Sequence, residues 1–97
     1  MVILQTLSRA KEMHGFEIAN AIFETSANVF QVEEGSLYPA LQRLLVQGWV
    51  TGEWGRTEGN RRARYYQITK AGRKQLTSEI ETYRRISGAI FRILEPA

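Results

Sequence analysis

Arg56, Asn60, Arg61, Arg62 and Arg64 place four guanidinium groups and one amide within nine consecutive positions of a 97-residue chain. A guanidinium carries a permanent charge and a planar fork of donors that fits phosphate oxygens, so this run is chemistry for a polyanion. A second set lies upstream: Ser36, Tyr38, Pro39, Gln42 and Arg43. Arginine pairs with the guanine edge and glutamine with the adenine edge, while a tyrosine meets a thymine methyl or a phosphate. Taken singly, each of these residues is equally an ordinary solvated side chain. What gives them meaning is the set of elements that would hold them.

Chemistry of another kind is poorly supplied. The chain has one histidine, His14, no aspartate, no cysteine, and ten glutamates spread along its length. Ser8, Ser26, Ser36, Ser78 and Ser87 offer hydroxyls, but acid-base or nucleophilic catalysis needs paired groups within hydrogen-bond reach, and the only imidazole has no aspartate to orient it. An enzyme is therefore not expected, nor a metal site, nor a cofactor. His14 reads as a helix-start residue. Without cysteine there is no disulfide framework. No apolar run approaches the roughly 18 residues of a membrane span and no signal-like segment opens the chain, so a cytoplasmic protein is expected.

The net charge of +3 conceals an asymmetry. Residues 1 to 53 hold three basic and six acidic side chains, whereas residues 54 to 97 hold ten and four. Arg56, Arg61, Arg62, Arg64, Lys70, Arg73 and Lys74 meet a single acid, Glu58, which concentrates positive potential in one stretch.

Apolar spacing supplies the elements. Ile3, Leu4 and Leu7 form a short helical stripe. After a break at Met13-His14-Gly15, Ile18, Ala19, Ile22 and Phe23 mark a second helix that ends at Ser26-Ala27-Asn28. A third helix opens at Gly35-Ser36, with Ser36 as its N-cap and Pro39 in its first turn. Leu37, Ala40, Leu41, Leu44 and Leu45 form its inner face, and Gly48 ends it. Glu33 and Glu34 precede it and favour the positive end of its dipole.

The residues from Trp49 to Trp54 then read as a strand. Gly55 to Asn60 form a turn-rich loop, and Arg61 to Ile68 form a second strand, with Arg62, Arg64, Tyr66 and Ile68 on one side. Both tryptophans are expected to pack, one of Tyr65 and Tyr66 to face inward, and at least one loop arginine to pair with Glu53 or Glu58. Thr69 caps a last helix along which Leu76, Ile80, Tyr83, Ile90 and Leu94 recur, widened by Ile86, Ala89, Phe91 and Ile93. So wide a stripe exceeds what one small domain covers, and a homodimer through Leu76, Ile80, Tyr83, Ile86, Ile90 and Leu94 is expected.

The fold class is therefore mainly α with a small β-hairpin. Residues 1–69 form a winged helix-turn-helix and residues 70–97 a C-terminal dimerisation helix. The third helix would enter the major groove of double-stranded DNA, and the hairpin would straddle the backbone and reach a minor groove.

The residues also carry a resemblance. Met13-His14-Gly15-Phe16-Glu17-Ile18, Gly35-Ser36-Leu37-Tyr38-Pro39-Ala40-Leu41-Gln42-Arg43-Leu44, and Asn60-Arg61-Arg62-Ala63-Arg64-Tyr65-Tyr66-Gln67-Ile68-Thr69 resemble the PadR family. That resemblance implies a bacterial winged-helix regulator, usually a repressor, that dimerises through C-terminal helical structure and is released from its operator by a signal such as a small molecule. It assigns Ser36, Tyr38, Pro39, Gln42 and Arg43 to the recognition helix and Arg56 to Arg64 to the wing. With one C-terminal helix the chain resembles the short members, and it has little of the N-terminal helix with which relatives brace the dimer. Some relatives stack planar drugs on a tryptophan of the C-terminal helix, whereas Trp49 and Trp54 fall in the hairpin here. An effector is instead expected in the apolar groove between subunits. The alternative is a winged-helix ligand- or protein-binding module without DNA binding, disfavoured by the basic hairpin. RNA binding lacks the glycine and aromatic run of an RNA-reading sheet.

Overall fold

A computed structural model of the chain describes residues 1–96. The elements in order are α1 (Val2–Ser8), β1 (Met13–His14), α2 (Gly15–Thr25), α3 (Glu34–Val46), β2 (Val50–Arg56), β3 (Arg62–Ile68) and α4 (Lys70–Leu94). Leu4 and Leu7 of α1, Ile18 and Ile22 of α2, and Leu37 and Leu41 of α3 bury their side chains together with Val50, Tyr66 and Leu76. The apolar stripes read from helical spacing are thus the faces that meet.

Three strands form one antiparallel sheet in the order β1-β3-β2. β1 pairs Met13 with Tyr66 and His14 with Tyr65, a two-residue strand too short to leave an alternating pattern in the sequence. β2 runs two residues further than expected, so Gly55 and Arg56 are paired in the ladder and the turn is confined to residues 57–61. The tip closes on itself: Thr57 N–H donates to the Arg61 carbonyl (2.9 Å) and Asn60 N–H to the Thr57 carbonyl (2.9 Å). Asn60 takes the left-handed conformation that asparagine tolerates (φ 60°).

The third helix starts earlier than Ser36. Glu33 occupies the N-cap position, its carbonyl accepting from the amides of Ser36 (3.0 Å) and Leu37 (2.9 Å). Glu34, at the positive end of the helix dipole, takes the place a capping hydroxyl would have filled. Pro39 consequently lies in the second turn rather than the first, where its missing N–H leaves the Gly35 carbonyl without its partner within the helix.

Thr69 caps α4 as expected, and it does more. Its hydroxyl accepts from Gly72 N–H (3.0 Å) and donates to the Gly48 carbonyl (2.8 Å), while its own amide donates to the Trp49 carbonyl (3.0 Å). The start of α4 is thereby fixed to the corner between α3 and β2. The approach is so close that a Cβ at Gly72 would collide with the Trp49 carbonyl oxygen and crowd Ile68. Gly72→Ala should therefore destabilise the protein by about 1–3 kcal/mol, where the same change inside an open helix would stabilise it. Thermal unfolding followed by circular dichroism would check this, with a drop in Tm of several degrees expected; an unchanged or raised Tm would show that the corner yields.

Leu76 belongs to the core of its own protomer and Ile80 packs against that core, so neither is free to cover a partner. Beyond them Tyr83, Ile86, Ile90, Phe91, Ile93 and Leu94 are each at least half exposed. At 1.5 Å per residue, the segment from Tyr83 to Leu94 carries this apolar surface about 18 Å past the core. No helix among the described residues is long and apolar enough to cross a membrane.

Candidate nucleic-acid interface

The register of the hairpin decides where its side chains go. Val50, Gly52, Trp54 and Arg56 stand opposite Ile68, Tyr66, Arg64 and Arg62, so all eight share one face of the sheet. At the core end of that face Val50 and Tyr66 are buried. At the outer end the sheet has run past the core, and Trp54, expected to pack, is 61 % exposed. Arg62 lies diagonally across from it, its guanidinium carbon 4.4 Å from the indole centroid, a cation–π contact that holds both side chains in place. Trp49 does pack, half-buried against the core.

Arg64 is held differently. Its Nε sits where a side chain on Gly52 would be, its guanidinium is 5.9 Å from the Tyr66 ring, and the Nε is buried with no hydrogen-bond partner. Burial pushes the Tyr66 hydroxyl above its ordinary pKa, an effect opposed by the nearby Arg64 charge and reinforced by Tyr38. Tyr66 is therefore the inward tyrosine. Tyr65 lies on the opposite face, its hydroxyl donating to the Arg56 carbonyl (3.1 Å) and its ring edge-on to His14 (5.4 Å between centroids).

Arg56 and Asn60 shape the tip rather than reach from it: the Arg56 guanidinium donates to the Asn60 backbone and side-chain oxygens, both at 3.4 Å. The expected pairing of a hairpin arginine with Glu53 or Glu58 is absent. Among the described residues the ion pairs join the Met1 amino group to Glu79 and His14 to Glu17, so Arg61, Arg62 and Arg64 face outward without a carboxylate. His14 is a helix-start residue: its Nδ1 accepts from the Glu17 amide (3.4 Å) while the Glu17 carboxylate accepts from the His14 amide (3.1 Å), a reciprocal capping box.

The inner face of the hairpin and the first turns of α2 and α3 enclose a cleft of about 720 Å³. Arg61, Arg62, Arg64 and Trp54 form one wall, and Phe16, Tyr38 and Glu34 the other. The Tyr38 hydroxyl lies where a Cβ on Gly15 would fall, which fixes that ring against the start of α2. Phe16, 74 % exposed, is a member of this wall that residue type alone did not single out.

The expected recognition residues do not all point the same way. At about 100° per residue, Tyr38 and Arg43 stand about 140° apart around α3. Tyr38 leans toward the hairpin, whereas Arg43 lies on the other flank, beside Met1, Ala40 and Trp49. Gln42 and Pro39 lie between them on the outermost, exposed face, with Ser36 exposed on the Arg43 side. The structure thus joins Tyr38 to the wing arginines, leaves Gln42 facing outward, and separates Arg43 from both.

Three packed helices with an outward-facing third helix, followed by a basic hairpin beside it, constitute a winged helix-turn-helix. Residues 3–78 match the Transcriptional regulator PadR-like family, and the chain belongs to that family. A transcriptional regulator of Mycobacterium tuberculosis, Rv3488, is 37 % identical over 68 residues, covering 70 % of this chain and 60 % of that protein. Among solved structures, a transcriptional regulator from Clostridium thermocellum superposes with a TM-score of 0.87 at 26 % identity, covering 97 % of this chain and 90 % of that one. Bacillus subtilis PadR, solved in complex with operator DNA, shares the fold at a TM-score of 0.71 and 22 % identity, over 81 % of this chain and 44 % of its own.

Proposed function

We propose that this protein is a cytoplasmic, homodimeric transcriptional repressor that binds an operator sequence in double-stranded DNA and has no catalytic activity. The observation that carries the reading is the set of three guanidinium groups, without carboxylate partners, beside the exposed face of α3. Phosphates are the natural counter-charge for Arg61 and Arg62, and base edges the natural partners of Gln42 and Tyr38. Bacillus subtilis PadR, with the same fold, meets operator DNA. Dimerisation would use the uncovered apolar face of α4 from Tyr83 onward. Next to that face, Val2, Met13, Ile22, Phe30 and Tyr83 line a groove of about 660 Å³ that would lie between subunits and suit an apolar effector. The sole imidazole, His14, is engaged as a helix cap, which fits a non-catalytic role.

Sequencing the genomic fragments that the protein retains at moderate salt tests the reading. The expected result is one enriched inverted repeat whose half-sites lie one helical turn, about 34 Å, or a multiple of it apart. Retention without any enriched sequence would contradict it.

A further inference from the structure

The cleft between the wing and α3 contains more aromatic surface than duplex DNA can use. Phe16 is 74 %, Trp54 61 % and Tyr38 47 % exposed, and all three line the same concavity as Arg61, Arg62 and Arg64. In a stacked duplex the base faces are covered, so a strand passing here offers phosphates and sugars to the guanidinium groups and nothing planar to the rings. Aromatic walls interleaved with arginine match a different shape of ligand, one flat ring carrying one negative charge. The volume, about 720 Å³, lies within the range of small-molecule sites. The Arg64 Nε, buried and without a hydrogen-bond partner, adds an unsatisfied donor on the wing side. Glu34 on the opposite wall would repel an anion and so turn the charge of the ligand toward the wing.

We infer that this cleft binds a small planar aromatic anion, its ring among Phe16, Tyr38 and Trp54 and its charge on Arg61, Arg62 and Arg64, and that the bound anion competes directly with DNA. The inference rests on the proposed DNA-binding role only for the competition. The binding itself stands apart from that role and from any effector in the groove beside α4.

Isothermal titration without DNA separates the two. The probes are adenosine monophosphate and 1-naphthoate, each a ring with an anionic group, with adenosine supplying a ring alone and inorganic phosphate an anion alone. At least one of the two anionic rings should bind, and which one distinguishes a nucleotide from an aromatic acid. Adenosine and phosphate should bind at least about tenfold more weakly. Phe16→Ala and Arg62→Gln, both at exposed positions, should each weaken the binding about tenfold while circular dichroism stays unchanged. No binding of either anionic ring at about 1 mM, where even a millimolar site half fills, would overturn the site. So would an affinity that neither substitution moves. A probe that occupies the cleft should also raise the apparent duplex Kd by the factor one plus probe concentration over probe Kd, by analogy with single-site linkage. A duplex affinity unmoved by saturating probe would overturn the competition.

Discussion

Replacing Arg61 and Arg62 together by glutamine should flatten the dependence of log DNA affinity on log salt by about 4, since each phosphate contact contributes about 0.9 and a symmetric dimer loses two contacts per substitution. Over a fourfold rise in salt the unaltered protein would then lose on the order of 100-fold more affinity than the variant. The loss at low salt should be equal for operator and scrambled duplexes, because phosphates carry no sequence. Both side chains are exposed and neither is bonded to a carboxylate, so their removal leaves no buried charge behind. Arg64 is left in place because its guanidinium packs over Tyr66 and Gly52, and replacing it would mix a folding effect into the binding effect. Fluorescence anisotropy at several salt concentrations checks the expectation. An unchanged slope would mean that the wing does not touch the backbone.

Ile86→Glu combined with Ile90→Glu should convert the dimer into a folded monomer. Both side chains are about half exposed in the single chain, so the protomer does not need them, yet each contributes about 1.5–3 kcal/mol to an interface that buries it fully. A carboxylate placed in the same apolar seam adds a desolvation cost of several kcal/mol, roughly. Without the dimer, the second half-site is no longer bound intramolecularly, and operator affinity should fall by about 10²- to 10⁴-fold while binding to an isolated half-site is kept. Sedimentation velocity reads the first part and anisotropy the second. A double variant that still sediments as a dimer would place the interface elsewhere.

The helical part of this architecture was legible because burial on one side writes a period into the sequence: Ile18 and Ile22, and Leu37 and Leu41, are buried where their spacing put them. Thr69 was legible as a cap for the same local reason. Other features depend on what arrives from elsewhere in the chain. Trp54 sits on the inward side of its strand, as alternation required, but the core ends before reaching it, and no local pattern records where a core ends. Leu76 and Tyr83 lie on one stripe, yet the first is covered by its own protomer and the second is not. A truncation at residue 76 would therefore damage the core, which is why substitutions beyond Tyr83 are the better test. The wing arginines were legible as a charge cluster. That Arg56 would brace the tip and Arg62 would stack on indole depended on the register of β2 against β3, which only the folded chain fixes. The separation of Arg43 from Tyr38 follows from helical geometry once the start of α3 is known.

The central claim is that base reading resides on the exposed face of α3, and Gln42→Ala tests it most directly. Operator and scrambled duplexes would be titrated side by side at one salt concentration. A glutamine contact to a base edge discriminates by about 1–3 kcal/mol, so the variant should lose roughly 5- to 150-fold in preference for the operator while its affinity for the scrambled duplex stays the same. If Gln42→Ala weakens both duplexes equally, or neither, while substitution of Arg61 and Arg62 abolishes the preference, then sequence is read by the wing and the account is contradicted.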